Sequence, residues 1–99
     1  MGKHLSPRLA NFPRAFKKSL SGMPPNIVKK AKSISDQVHD GMPTTEFDAK
    51  RLNNNRNVIA IKLGQRHRLL MAETKCGIEP WLCLTHEDYN KVYMRIATS

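Results

Sequence analysis

The stretch that most constrains the fold is residues 57–73, NVIAIKLGQRHRLLMAE, in which two runs rich in aliphatic side chains flank a glycine. Both runs have the length of a strand, and Gly64 suits the positive φ that a short turn between antiparallel strands requires. The middle of the stretch holds four potential cations, namely Lys62, Arg66, His67 and Arg68. A hairpin that buries its aliphatic residues therefore has to direct these cations away from the core.

The length of the turn decides which side chains share a face, because side chains alternate across a strand. A two-residue turn would place Arg66 and Arg68 among the core aliphatic residues, which is costly without partners. A three-residue turn, Gly64-Gln65-Arg66, instead predicts that Lys62 lies opposite Arg68. In that register one face collects Ile59, Ile61, Leu63, Leu69 and Met71, with His67 at its rim, and the face of the two cations collects Val58, Ala60, Leu70 and Ala72.

A third run, EPWLCLT, follows the turn TKCGIE and completes three consecutive antiparallel strands. Alternation predicts that Leu82 and Leu84 face the helices. It leaves Trp81 and Cys83 beside the two cations on an open face. Cations next to an aromatic ring are typical of a nucleic-acid platform, since cations contact phosphate and a ring stacks on a base. The alternative is that Trp81 packs under the first segment or under the C-terminal helix.

Two helices are predicted before the hairpin. The first covers residues 13–21, where apolar side chains recur every four positions and Pro13 suits a first helical turn. The second covers residues 26–39, and Gly41 suits its C-terminal end. Its apolar stripe, at the period of an α-helix, consists of Ile27, Ala31, Ile34 and Val38. Because an amphipathic helix and a half-apolar sheet bury each other, both helices should cover one face of the sheet.

The remaining segments complete an α+β prediction. The piece between the second helix and the hairpin, MPTTEFDAKRLNNNRN, is predicted to be a connection anchored by Phe47 and Leu52. The tail HEDYNKVYMRIAT has helical spacing, with Thr85 as N-cap and Asp88 in the first turn. Residues 1–12 predict a loose arm or an irregular first element. We thus expect a single domain over residues 1–99, with two N-terminal helices on one face of a small antiparallel sheet of three to four strands and a short C-terminal helix.

Charge restricts the partners. Seventeen Lys and Arg against eight Asp and Glu give a net charge of +9 with neutral His. Nucleic acid is the first candidate, because phosphate neutralisation releases counterions, and an acidic protein that masks the same surface is the second. A basic protein that is merely soluble is the third.

The apolar runs and the cysteines indicate the cellular compartment in which the protein is expected. No apolar run approaches the ~18 residues of a membrane span, and the N-terminus lacks the apolar segment of a signal peptide. Cys76 and Cys83 match neither a disulfide framework nor a metal-ligand spacing. We therefore expect a cytoplasmic protein with no membrane contact, no cofactor and no metal.

Three pieces of the chain resemble the RelE/ParE superfamily of toxins from bacterial type II toxin–antitoxin pairs. They are AFKKSLSGMPPNIVKKAKSI, KRLNNNRNVIAIKLGQRHRLLM and WLCLTHEDYNKVY, which together cover roughly residues 12–93. The shared pattern is a helix pair, a strand ending in Gly, a short loop and an Arg before an apolar strand. The presence of His86 and Tyr89 after the last strand makes this pattern more specific. The strand that members usually carry before the helices is not evident in KHLSPRLANF, so either that strand is irregular or the chain belongs to a divergent branch.

The resemblance implies a toxin whose partner is a cognate acidic antitoxin protein. Members that cut messenger RNA on the ribosome use no metal, so the protein supplies a base for the ribose 2′-OH, cations for the phosphate and an acid for the departing 5′ oxygen. By position, the catalytic residues implied are Arg68, His86, Tyr89 and Tyr93. The residues implied to hold RNA or to add charge are Lys50, Arg51, Lys62 and Arg66, which join Trp81 of the proposed platform.

Three functions stay open on the sequence alone. The first is a ribosome-dependent endoribonuclease that arrests translation, with Arg68 and His86 central. The second is a poison of DNA gyrase, as in the ParE branch, which acts by binding and lacks the RNA-cutting residues. The third is a basic nucleic-acid or partner-binding module without toxicity. Structural roles are also open, since His86 could cap the closing helix, Tyr93 could pack between helix and sheet, and His67 could be structural.

Overall fold

The computed structural model describes residues 12–52, 56–75 and 77–91. Two helices, α1 (Phe12–Leu20) and α2 (Pro25–His39), precede a 3₁₀ turn (Thr44–Glu46) and the strands β1 (Ala49–Arg51), β2 (Val58–Lys62), β3 (His67–Thr74) and β4 (Gly77–Thr85). The four strands form one antiparallel sheet in chain order, and residues 86–91 are helical. The predicted α+β class is confirmed. The prediction of a loose arm concerns residues that, apart from Phe12, lie outside the described ranges.

Helix α2 packs and ends as its sequence predicts. The predicted stripe is buried, and it consists of Ile27, Ala31, Ile34 and Val38. At the C-terminus, the Gly41 N–H donates to the Val38 carbonyl and the Met42 N–H donates to the Gln37 carbonyl, which is the Schellman arrangement. Gly41 has a φ of 107°, which a residue with a Cβ rarely adopts. Glycine therefore ends the helix and releases the chain toward the sheet.

The register of the β2–β3 hairpin is the predicted one. Lys62 lies opposite Arg68, the Leu63 N–H donates to the His67 carbonyl at 3.0 Å, and Gly64 has a φ of 118°. The face toward the helices forms the first cluster, whose buried members are Leu20, Ile27, Ala31, Ile34, Val38, Ile59, Ile61, Leu63, Leu69, Met71 and Cys83. The other face forms the second cluster, whose buried members are Leu52, Val58, Ala60, Leu70, Ala72 and Trp81.

Strand β4 contains a bulge that reverses the predicted directions of its side chains. Leu70 lies opposite Leu82, but Met71 lies opposite Pro80, so Trp81 is the additional residue. Every side chain after Trp81 is thereby shifted to the other face. The predictions that Leu82 and Leu84 face the helices and that Cys83 lies on the open face are wrong for this reason. Leu82 and Leu84 pack against the second cluster, and Cys83 is buried in the first cluster.

Trp81 and Cys83 are both covered. Trp81 is 3% exposed and belongs to the second cluster, so the prediction of an exposed ring on an open face is wrong and the packing alternative describes its position. The Cys83 thiol is free, and burial raises its pKa to about 11. A thiol of this kind stays protonated near neutral pH and is a poor nucleophile.

Helix α1 closes the outer edge of β4 as well as contributing to the first cluster. The Cys83 N–H donates to the Ser19 Oγ at 2.9 Å, and the same hydroxyl donates to the Phe16 carbonyl at 2.7 Å. Phe16 and Leu20 pack in the first cluster, whereas Ala15 packs against the second. The helix therefore lies along the sheet edge and contacts both layers, which protects the backbone of an edge strand from other chains.

The segment before the hairpin contains an additional short strand. Phe47 packs against the first cluster and Leu52 is 3% exposed in the second, so the two predicted anchors are confirmed. Between them β1 pairs with β2, with Lys50 opposite Ala60. The two basic residues expected before the first strand, Lys50 and Arg51, thus lie within it.

The closing helix begins as predicted. The Thr85 Oγ accepts the Asp88 N–H at 3.1 Å, which confirms Thr85 as its N-cap. Across the described ranges no helix is both long enough and apolar enough to span a bilayer.

We predict that Ser19→Ala lowers the free energy of unfolding by about 1–3 kcal/mol, because the Cys83 N–H then lies beneath α1 without an acceptor. Ser21→Ala is the matched control, since the exposed Ser21 hydroxyl donates to the Lys18 carbonyl of its own turn. It should change the free energy by about 0.5 kcal/mol or less. Urea unfolding followed by circular dichroism measures both, and equal effects of the two substitutions would contradict the role given to Ser19.

Candidate nucleic-acid interface

Three cations from three neighbouring strands form a row on the face of the second cluster. Lys50 lies opposite Ala60, and Lys62, two residues further along β2, lies opposite Arg68. Alternation places all three side chains on the same face, where we call them the basic row. Lys50 and Lys62 are exposed and Arg68 is partly buried. The row therefore presents positive charge to solvent beside a buried apolar layer.

The pair of Lys62 and Arg68 is the closest approach of like charges in the row. The Leu63 N–H bonds β3 at His67, whereas the Lys62 N–H bonds β1 at the Asp48 carbonyl, at 2.9 Å. Lys62 and Arg68 are thus a non-hydrogen-bonded pair, the kind in which facing residues are closest. Like charges directly opposite each other destabilise a sheet. An anion placed between them would remove this repulsion.

Backbone carbonyls hold the Arg68 side chain in place. Its Nη1 donates to the His67 carbonyl at 2.9 Å and to the Gly64 carbonyl at 3.3 Å. Among the residues that the structure describes, no carboxylate forms an ion pair with the basic row. A guanidinium has five N–H donors in a rigid plane, so donors remain for an anion. The turn carbonyls therefore orient Arg68, and no described carboxylate neutralises its charge.

Arg51 is separated from the basic row. It lies opposite Ile59 of the first cluster, and its Nη1 donates to the Glu73 Oε1 at 2.8 Å and to the Arg56 carbonyl at 2.6 Å. Its side chain and that of Glu73 are 34% and 47% exposed, so the ion pair contributes little to stability. The structure does not bring Arg51 together with the cations predicted to hold RNA with it.

A polar depression lies at the end of the sheet, where the β2–β3 turn meets the end of β4. Its walls are two tripeptides, residues 65–67 and residues 85–87. A hydrogen bond from the His86 N–H to the Arg66 carbonyl, at 2.6 Å, connects them. The volume is about 580 Å³, and the lining residues are Gln65, Arg66, His67, Thr85, His86 and Glu87. We call this feature the sheet-end depression. It combines two imidazoles, a guanidinium, a carboxylate and an amide.

The sheet-end depression contains part of the predicted site and adds to it. His86 and Arg66 line it, and His86 is exposed. Tyr89 is instead partly buried against the second cluster, and Tyr93 lies outside the described residues. Sequence reasoning gave no role in the site to four residues that line the depression, which are Gln65, His67, Thr85 and Glu87. Their only sequence signal is the pairing of β4 with β3, which sets the end of one strand against the turn of the other.

The described residues contain no group of three or more His, Cys, Asp and Glu side chains arranged to hold a metal ion. The two imidazoles and the guanidinium of the sheet-end depression offer proton transfer and positive charge near a phosphate.

We predict that Lys62→Gln raises the free energy of unfolding by about 0.2–1 kcal/mol at low ionic strength, because it removes the repulsion from Arg68. The gain should shrink at high salt, which screens exposed charges. Lys75→Gln, in the exposed turn after β3, is the control for the loss of one charge. Thermal and urea unfolding at two salt concentrations provide the measurement. A loss of stability specific to Lys62→Gln would contradict the repulsion.

A family model described as the ParE-like toxin domain matches residues 25–91. The chain has no match among curated proteins or among solved structures. The matched range begins at the first residue of α2 and includes all four strands, the basic row and the sheet-end depression. Because it covers more than half of the sequence, the chain belongs to the ParE-like toxin domain family, within the RelE/ParE superfamily, and is a toxin of a toxin–antitoxin pair with an antitoxin as its partner.

Proposed function

We propose that this toxin is a ribosome-dependent endoribonuclease that cuts messenger RNA without a metal ion and so arrests translation. The observation that supports this proposal is the sheet-end depression, where His67, His86 and Arg66 line one open site at the turn that also holds the Arg68 side chain. Two conditions favour it further. Arg68 forms no ion pair within the described residues, and His86 is exposed rather than buried.

The proposed reaction is an attack of the ribose 2′ oxygen on the adjacent phosphorus. One imidazole of the pair His67 and His86 removes the 2′-OH proton, and the new O–P bond forms as the bond to the 5′ oxygen breaks. The other imidazole donates a proton to the departing 5′ oxygen. Arg66 stabilises the negative charge that builds on the phosphate oxygens. The products are a 2′,3′-cyclic phosphate and a 5′-hydroxyl end, so atoms and protons balance without a co-reactant.

The basic row binds the neighbouring RNA backbone in this proposal. Lys50 and Lys62 are exposed point charges, whereas Arg68 is held by the turn carbonyls with donors remaining for phosphate. Such contacts position a strand without reading its sequence. Arg68 is thus a phosphate-binding residue rather than a proton donor, because a guanidinium does not lose its proton in proteins.

A second candidate function is inhibition of DNA gyrase by binding. The observation that favours it is the description of the matched family, since the ParE branch of the superfamily acts on gyrase. In this case the basic row contacts the target, and the imidazoles of the sheet-end depression have no chemical role. The two functions therefore differ in how much they depend on His67 and His86.

We expect that induced expression of the wild type produces cut ends within ribosome-bound messages. His86→Ala and His67→Ala should each reduce cleavage by roughly 100-fold or more, as is typical for the loss of a general acid or base. Arg68→Ala should weaken RNA binding and also lower cleavage. His39→Ala, at the exposed C-terminus of α2, is the matched control and should leave cleavage unchanged. Mapping of messenger RNA ends and a gyrase supercoiling assay, run on the same variants, provide the measurements.

Growth arrest with intact messages and inhibited supercoiling would exclude the nuclease and support gyrase as the target. If a folded, expressed protein produces neither effect, both candidate functions are excluded. Cleavage that persists at wild-type level in both histidine variants would place the chemistry outside the sheet-end depression.

A further inference from the structure

Two side chains of the sheet-end depression have no role in the proposed cleavage. Gln65 precedes Arg66 in the turn, and Glu87 follows His86 at the start of the closing helix. Both are exposed, and both line the same depression as the two imidazoles. A carboxylate at a site that receives a phosphate backbone repels the ligand. The Glu87 carboxylate, in the first turn of the closing helix, is instead available to hydrogen-bond donors on another part of the ligand.

The two side chains are complementary to one nucleobase in particular. An ionised carboxylate only accepts hydrogen bonds and can take two at once, whereas an amide NH₂ group donates. The Watson–Crick edge of guanine presents two adjacent N–H donors, N1–H and the N2 amino group, beside the O6 acceptor. Adenine presents one amino donor next to an unprotonated ring nitrogen, which a carboxylate repels. Uracil and cytosine likewise lack two adjacent donors.

We propose that the sheet-end depression binds a guanine of the RNA, with the Glu87 carboxylate accepting from N1–H and N2 and the Gln65 amide donating to O6. The inference rests on the proposed function in one respect, that the ligand is single-stranded RNA. RNA is read in this way where an unstacked base offers its Watson–Crick edge to side chains.

The arrangement along the chain fits one nucleotide. Each base-reading residue is the direct neighbour of a residue assigned to the phosphate, Gln65 of Arg66 and Glu87 of His86. The backbone hydrogen bond between Arg66 and His86 keeps the two walls at a fixed distance. A volume of about 580 Å³ lies within the range of pockets that hold small ligands and is sufficient for a base with its ribose and phosphate. Reading of the base would thus select the phosphate that is cut.

The test measures binding separately from cleavage. Short 2′-O-methyl oligoribonucleotides, which lack the attacking hydroxyl, carry guanine, inosine or adenine at one central position. Fluorescence anisotropy measures their affinity for the wild type, for Glu87→Gln and for Glu46→Gln. Glu46→Gln is the matched control, because it removes the same charge from an exposed position in the 3₁₀ turn. Inosine is the matched probe, because it differs from guanine only by the N2 amino group.

We expect the wild type to prefer guanine over adenine by about fivefold or more, the range of a bidentate contact, with inosine between them. Glu87→Gln should bring the three affinities to within about twofold of one another, because it removes the bidentate contact with guanine and the repulsion that acts on every RNA. Glu46→Gln should keep the preference. Equal affinities in the wild type, or an unchanged preference in Glu87→Gln, would overturn the proposal.

Cleavage of ribosome-bound messages that carry guanine or adenine beside the cut phosphate separates base reading from proton transfer. If Glu87→Gln slows cleavage beside guanine and beside adenine by the same factor, Glu87 acts in the reaction and the proposal fails. If it slows only cleavage beside guanine, the proposal is supported. A guanine preference in binding, without any cleavage of ribosome-bound messages by the wild type, would exclude the nuclease and leave guanine recognition standing, so the two failures are distinguishable.

Discussion

The three-residue turn at Gly64-Gln65-Arg66 is the constraint on which the rest of the structure depends. It sets Lys62 opposite Arg68, and with that pair it assigns every side chain of β2 and β3 to one of the two faces. A turn shorter by one residue would exchange the faces of one strand and bring guanidinium groups into the first cluster. The positive φ of Gly64 keeps the turn tight. The same register thus buries the aliphatic residues and exposes the cations.

The edge strand β4 depends on a second local feature, the bulge at Trp81. The additional residue turns Cys83 toward the helices and keeps both Trp81 and Leu82 on the second cluster. The outward-pointing Cys83 N–H then meets the Ser19 hydroxyl, which fixes α1 along β4. A helix is therefore placed against a strand edge because the bulge and one serine satisfy the backbone there.

The hairpin could be predicted from the sequence because periodicity, turn length and charge all favour one register. The side-chain directions in β4 could not be predicted, because a bulge adds one residue without altering the local pattern of EPWLCLT. The short strand β1 was missed for a related reason, since three residues between Asp48 and Leu52 are too few to show alternation. The sheet-end depression depends on contacts between residues about twenty positions apart, such as Arg66 with His86, so no local signal indicates it. His86 and Arg66 were found by resemblance, whereas Gln65 and Glu87 required the fold.

Charges of both signs lie at this end of the sheet. Lys62 faces Arg68 at the shortest separation that an antiparallel pair allows, and Glu87 places a carboxylate in the sheet-end depression. Neither feature serves packing, because Lys62 and Glu87 are both exposed. An anionic group relieves the repulsion between Lys62 and Arg68, and the Glu87 carboxylate can accept hydrogen bonds from N–H donors. In the proposed function, a ligand with an anionic backbone and a base interacts with both features, whereas a simple polyanion interacts with the cation pair alone.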